Sequence, residues 1–233
     1  MSTYLITGAN RGIGLEMTRQ LLAGGHRVVA TCRNPGSADA LSSIHGSMHE
    51  SMHGLLDVHA LDVTADIAVA ELANQLNGLV VDVLVNNAGF MAERQSVDDM
   101  DYDQWMASFS VNAIAPWRVA LAFAPHLSAA TRPRLVTLTS QMGSIERAGS
   151  DRVAYRSSKA AANMAMRTLA LEWQAQGITV CMLHPGWVRT QMGGDDAALG
   201  TTESAEAMLQ VIDALTLSET GKFLNYDGSE IPW

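Results

Sequence analysis

Two kinds of segment alternate along the chain. Short, β-branched, almost wholly apolar runs stand at 3–7 (TYLIT), 27–31 (RVVAT), 57–61 (DVHAL), 81–86 (VDVLVN), 134–139 (RLVTLT), 178–183 (ITVCML) and 222–226 (KFLNY). Between them, apolar residues recur at three- and four-residue intervals near 12–24, 65–77, 98–128, 153–175 and 203–215. Continuous apolar strands separated by amphipathic helices belong to a parallel sheet covered on both faces. The pattern predicts an α/β fold with about seven strands in an open, doubly wound parallel sheet flanked by helices, and a ligand crevice at the carboxyl ends of the strands. No Pro/Gly/Ser linker interrupts the alternation, so residues 1–233 are expected to form a single domain.

Composition narrows the function classes. A chain of 233 residues with 48% hydrophobic content can bury one sizeable core. The net charge of −9 and the scatter of its 15 Lys and Arg residues argue against a nucleic-acid surface. Cys32 and Cys181, the two cysteines, both sit inside apolar runs and read as buried thiols in a reducing compartment. The chain runs from MST directly into the first strand, and no apolar run reaches the ~18 residues of a membrane span, so no membrane partner and a cytoplasmic location are expected. One segment stands apart. Residues 45–53, HGSMHESMH, set His45, His49 and His53 at i, i+4 and i+8, yet Gly46 and Gly54 weaken a helix there and no acidic or cysteine ligand completes a set. An exposed connection without a metal is the expectation.

Directly after the first strand comes TGANRGIGLE, with Gly8, Gly12 and Gly14 opening a helix. Glycines there let backbone approach a ligand, and the helix start offers unpaired N–H groups to a pyrophosphate. The spacing is GxxxGxG, not the commoner GxGxxG. With NNAG at 86–89, Ser140 at the end of the fifth strand, YRSSK at 155–159 and PGWVRT at 185–190 in the same order, the chain resembles the short-chain dehydrogenase/reductase family over essentially its whole length, carbonyl reductases and C-factor-like members included. The resemblance implies a Rossmann-type domain and hydride transfer. It assigns cofactor contacts to Gly8, Asn10, Arg11, Gly12, Ile13 and Gly14, to Asp62 and Val63 at the adenine, to Asn86, Ala88 and Gly89, and to Pro185, Gly186, Val188 and Thr190 at the nicotinamide. Asp62 or Thr64 would serve equally as a cap for the next helix, and Asn87 would brace the sheet.

The second strand ends in VVATCRNP without the acid that grips a ribose 2′-hydroxyl; Thr31 or Cys32 takes its place and Arg33 follows. Arg33 and Arg11 together point to a 2′-phosphate, hence to NADP(H) in preference to NAD(H), which is left open as the alternative.

Tyr155 and Lys159 lie one helical turn apart on one face. A phenol with pKa about 10 donates a proton readily but is a poor base near neutrality. One positive charge at ~4 Å, with an effective dielectric near 20, favours the phenolate by ~4 kcal/mol, roughly three pKa units. Tyr155 is therefore expected as general acid/base and Lys159 as the cation that lowers its pKa. Thr139 and Ser144 compete with Ser140 as the hydroxyl that orients substrate; the family register selects Ser140. By resemblance, Asn112 holds a water in a proton relay and Lys159 contacts the nicotinamide ribose. Substrate contacts are expected from Ser140, Met142, Tyr155, Trp187 and Met192, with a mobile lid near 187–202. The helix carrying Ala160, Ala161 and Ala162 commonly packs against its copy in such proteins, which implies a homodimer or homotetramer. The ending GKFLNYDGSEIPW is similar to that of C-factor-like members, some regarded as signalling proteins, so a cofactor-binding sensor stands as the second class beside an NADPH-dependent reductase of a small aldehyde or ketone.

Overall fold

The computed structural model describes residues 1–47, 54–93 and 98–233. Its strands are β1 (Thr3–Thr7), β2 (Arg27–Cys32), β3 (Leu56–Ala60), β4 (Val83–Asn86), β5 (Arg134–Leu138), β6 (Thr179–His184) and β7 (Phe223–Asn225). They form one sheet in the order β3-β2-β1-β4-β5-β6-β7, with every pairing parallel. The order reverses between β1 and β4, where doubly wound sheets open their crevice.

Successive strand residues point to opposite faces, which divides the core in two. Leu5, Val29, Leu84, Leu135 and Met182 meet the helices α3 (Asp66–Gln75), α5 (Ala115–Ala122) and α7 (Val153–Trp173). Tyr4, Ile6, Val85, Val136 and Leu183 meet α1 (Gly12–Ala23) and α8 (Thr201–Ala214). Cys32 and Cys181 are free and buried. Among the described residues no helix is long and apolar enough to cross a membrane.

Two expectations from periodicity need correction. Helix α2 (Asp39–Ser47) was not foreseen, because its serines and Gly46 are weak helix formers; burial of Leu41 in the second core holds it. His49 and His53 lie outside the described residues, as does the side chain of His45. The single helix expected over 98–128 is divided into α4 (Tyr102–Phe109), a π turn (Ser110–Ile114), α5 and α6 (Ala124–Ser128). Pro116 has no N–H for the carbonyl of Asn112, and its ring crowds that carbonyl. The chain relieves this by widening, with the Ala115 N–H donating to Ser110 five residues back.

Candidate active site

The crevice at the carboxyl edge has two ends. At β1 the backbone turns through Gly8 at φ +67° and Gly12 at φ +55°, values that favour glycine. A Cβ on Gly14 would lie 2.4 Å from Asn87 Nδ2 and 2.8 Å from the Gly8 carbonyl, so that position excludes a side chain. Asn87 ties this loop to β4: its Nδ2 donates to the carbonyls of Thr7 (2.7 Å) and Gly8 (2.9 Å), while Thr7 Oγ1 accepts from the N–H groups of Asn87 and Ala88. Asn87 therefore braces the loop itself. The neighbouring Asn86 turns inward to the Pro116 carbonyl at 3.1 Å, leaving its backbone, not its side chain, toward the crevice.

Gly12 faces Thr190, the nearest atom to its missing Cβ at 3.4 Å, so the segment after β6 closes over the glycine loop. Arg11 is exposed and bonded to the side chain of Gln191. Arg33 is exposed and makes no hydrogen bond among the described residues. Asp62 is exposed beside it: bonds from the Thr64 hydroxyl and N–H chiefly, and the Arg33 charge in addition, hold its carboxyl below the usual range. Asp62 thus closes a turn onto Thr64, and Ala65 caps α3 without a side-chain bond. Val63 is buried, and its carbonyl accepts from Arg118.

The segment expected as a lid is laced down. Gly186 takes φ +84°, Val188 pairs with Leu199 as an isolated bridge, Trp187 Nε1 donates to the Gly193 carbonyl at 2.8 Å, and the Pro185 carbonyl accepts from Ser204 Oγ at 2.6 Å. Its last two residues, 201 and 202, belong to α8. Trp187 and Met192 remain half exposed.

At the other end buried side chains gather. Ser140 lies two residues beyond the end of β5, at the start of a tight turn, and accepts from the Met142 N–H at 3.1 Å. The first turn of α7 brings Tyr155 to the Ser140 hydroxyl, and Lys159 follows one turn on. Burial pushes the Tyr155 phenol up to about 12, against the lowering by the Ser140 hydrogen bond and, more weakly, the Arg152 charge. Burial likewise pulls Lys159 down to about 8. Lys159 Nζ donates to the Leu138 carbonyl at 2.9 Å and sits 5.7 Å from the centre of the tyrosine ring. The cation lies over the ring toward β5, and removal from water shifts both groups toward their neutral forms.

Asn112, in the π turn, accepts from the Phe90 N–H at 2.8 Å and donates to the Phe90 carbonyl at 2.7 Å and to Ser158 Oγ at 2.9 Å. Both amide hydrogens are committed, so the side chain clamps the chain after β4 to α7 and has no donor left for a water. A Cβ on Gly89 would lie 3.6 Å from Asn112 Oδ1 and 3.9 Å from Lys159 Nζ, which puts Gly89 against both side chains.

Three residues here escaped sequence reasoning. Ser158 links Asn112 to α7, visible beforehand only as the second serine of YRSSK. His184, the last residue of β6, is buried with an unpartnered Nδ1 and is pushed down to about 4 by burial and by the charges of Arg147 and Lys159. Arg152 stands before α7 at φ +53°.

A short chain dehydrogenase sequence profile matches residues 2–198. The chain belongs to the short-chain dehydrogenase family. This dehydrogenase is 43% identical to the C-signal protein of Myxococcus xanthus over 155 residues, 66% of this chain and 93% of that one. Its fold is similar to the carbonyl reductase Sniffer of D. melanogaster, with TM-score 0.92, 29% identity and full coverage of both chains. An NADPH-bound carbonyl reductase from chicken fatty liver superposes with TM-score 0.90 and 32% identity, covering 100% of this chain and 99% of that one. Family membership and the Rossmann-type sheet agree with the sequence analysis, and the chain is an oxidoreductase by family.

Proposed function

We propose that this short-chain dehydrogenase reduces the carbonyl of a small aldehyde or ketone, or oxidises the alcohol, with NADP(H) as the preferred cofactor. The observation that carries the reading is the gathering of buried Ser140, Tyr155 and Lys159 at the carboxyl ends of the strands, with the Lys159 ammonium 5.7 Å from the centre of the Tyr155 ring. The residues fit the cofactor: Gly8 and Gly12 at positive φ let the loop turn tightly into the start of α1, whose N–H groups suit a pyrophosphate, exposed Arg33 makes no hydrogen bond among the described residues and suits a 2′-phosphate, and Thr190 of the 185–190 segment faces the loop for the nicotinamide. When bound, the cofactor supplies the hydride.

The chain's own groups handle the proton. Tyr155, protonated at neutral pH, donates from its hydroxyl to the developing alkoxide oxygen, which the Ser140 hydroxyl orients. The resulting phenolate keeps the Ser140 hydrogen bond, and the ammonium of Lys159, predominant below about 8, attracts it across the ring. Asn112 and Ser158 keep α7 in register with the loop after β4. Met142, Trp187 and Met192 surround the substrate in this reading, and a homo-oligomer in a reducing cytoplasm accompanies it.

The resemblance to a C-signal protein favours a second reading, a cofactor-binding signalling protein with little turnover. Loss of NADPH absorbance across a panel of aldehydes and ketones separates the two. Turnover near the common enzyme range of ~1 to 10³ per second supports the reductase, and tight NADPH binding without turnover of any compound supports the sensor.

A further inference from the structure

A small cleft, with room of about 10 Å³, is lined by Ala92, Glu93, Arg152, Val153, Ala154 and Tyr155. Arg152 has few structural ties, a bond to the Met91 thioether and a loose ion pair with Asp151. It is the only non-glycine residue with positive φ among the described residues, at φ 53° and ψ 43°. Asparagine or glycine adopts that conformation at lower cost. It also occupies the position before α7 where a short polar side chain would cap the helix, and its own side chain caps nothing. Strained backbone of this kind clusters at functional sites.

The guanidinium is poorly partnered. Of its five N–H donors, one at Nη1 meets the thioether of Met91 at 3.1 Å, a weak acceptor. Nε stands 3.9 Å from Asp151, too far for a hydrogen bond, and that carboxylate is already engaged by Arg156 Nη2 at 3.1 Å. The side chain is 33% exposed, partly withdrawn from water yet open to the cleft. Its charge reaches the reacting atom, since Arg152 is among the groups that lower the Tyr155 phenol. The one acid lining the cleft, Glu93, is exposed and forms no ion pair with Arg152.

We infer that Arg152 is a specificity determinant that selects carbonyl compounds carrying a carboxylate, holding that group by a charge-assisted fork while the carbonyl oxygen meets Tyr155. The inference rests on the carbonyl-reductase reading and names its substrate class. The reaction balances as before: the carbonyl carbon gains hydride from the reduced nicotinamide, the oxygen gains the Tyr155 proton, and the carboxylate is unchanged. A hydrogen bond between charged groups discriminates by about 10- to 150-fold, and the planar guanidinium suits a carboxylate better than an ammonium does.

The test compares 4-carboxybenzaldehyde with its methyl ester, which have similar shape, the ester being the intrinsically more electrophilic aldehyde, so a preference for the carboxylate runs against the electronic effect. In the wild type, kcat/KM should favour the carboxylate by about tenfold or more. Arg152→Gln, which removes the charge while keeping a polar, shorter side chain and the backbone strain, should bring the ratio to unity or below, and Arg152→Lys should keep an intermediate ratio. Equal kcat/KM for the two compounds in the wild type overturns the inference. So does an equal fall of both in Arg152→Gln, which is what a merely structural arginine would give. Calorimetric titration with benzoate and benzamide, with and without NADP⁺, reads the anion site without turnover. Benzoate binding that is tighter by about tenfold, and no longer tighter in Arg152→Gln, upholds the inference even if neither aldehyde is reduced, in which case it is the reductase reading that fails. Benzoate no tighter than benzamide overturns the anion site while leaving reduction of the ester as independent support for the reductase.

Discussion

The two ends of the crevice use opposite materials. The end at β1 is made of backbone: glycines at positive φ, a threonine and an asparagine that fix the loop, and arginines left in solvent. The end at β5 and α7 is made of buried side chains, with a phenol pushed up to about 12 and an ammonium pulled down to about 8. The difference follows from the tasks. An anion is held by N–H groups and cations that keep their charge, which solvent permits; burial instead favours neutral forms, keeping the Tyr155 phenol protonated and bringing the two forms of Lys159 close in free energy near neutral pH. Burial is costly to the fold, and exposure is not. Changes at the β5 end should therefore alter chemistry and stability, and changes at the β1 end should alter affinity and selectivity.

The sharpest way to break this contrast is Tyr155→Phe. General acid catalysis is typically worth ~10² to 10⁴ in rate, so kcat should fall by that factor while the Kd for NADPH, measured by fluorescence titration, stays within about threefold. Retention of more than about a tenth of wild-type turnover would remove Tyr155 from the proton-donor role.

A smaller effect is expected from Arg33→Ala. Loss of one charge-assisted contact should lower kcat/KM with NADPH by about 10- to 150-fold and hardly change the value with NADH. If the two cofactors lose equally, the 2′-phosphate is held elsewhere.

The smallest expected effect concerns stability. Lys159 binds its proton less readily in the folded chain, at about 8 against 10.5. Between those values the unfolded chain holds more protons, so stability rises as pH climbs from about 8 to 10.5, and the cost of the buried ammonium is fully present below 8. That cost is on the order of 3 kcal/mol, reduced by about 1 kcal/mol for the bond to Leu138 that any replacement loses. Lys159→Met should therefore raise the denaturant midpoint at pH 7, and the gain should shrink toward pH 10.5. A midpoint lowered at pH 7, or a gain independent of pH, would show that the ammonium is not destabilised by burial.

Much of the molecule was legible in one dimension. The strand runs set seven strands and their covered faces, because a strand buried on both sides has to be apolar throughout. The i, i+4 spacing of Tyr155 and Lys159 and the glycines at 8, 12 and 14 marked the two ends of the crevice, because a helical turn and a backbone turn are local. Helix α2 was hidden, since its residues are poor helix formers and Leu41 is held by a core assembled from distant strands.

Local sequence therefore determined the element order, the sheet class and the residue types at each strand end, all set by interactions within a few residues. Tertiary structure alone decided the direction and cause of the pKa shifts, the commitment of Asn112 to Phe90 and Ser158, the inward turn of Asn86 and the placement of Arg152 in one cleft with Tyr155. Each of these depends on how much water is excluded and which remote group arrives. Lys159 shows the division most plainly: its spacing from Tyr155 is a property of one helix, but its charge is governed by burial, among groups that include the end of β5, brought to it from 21 residues away.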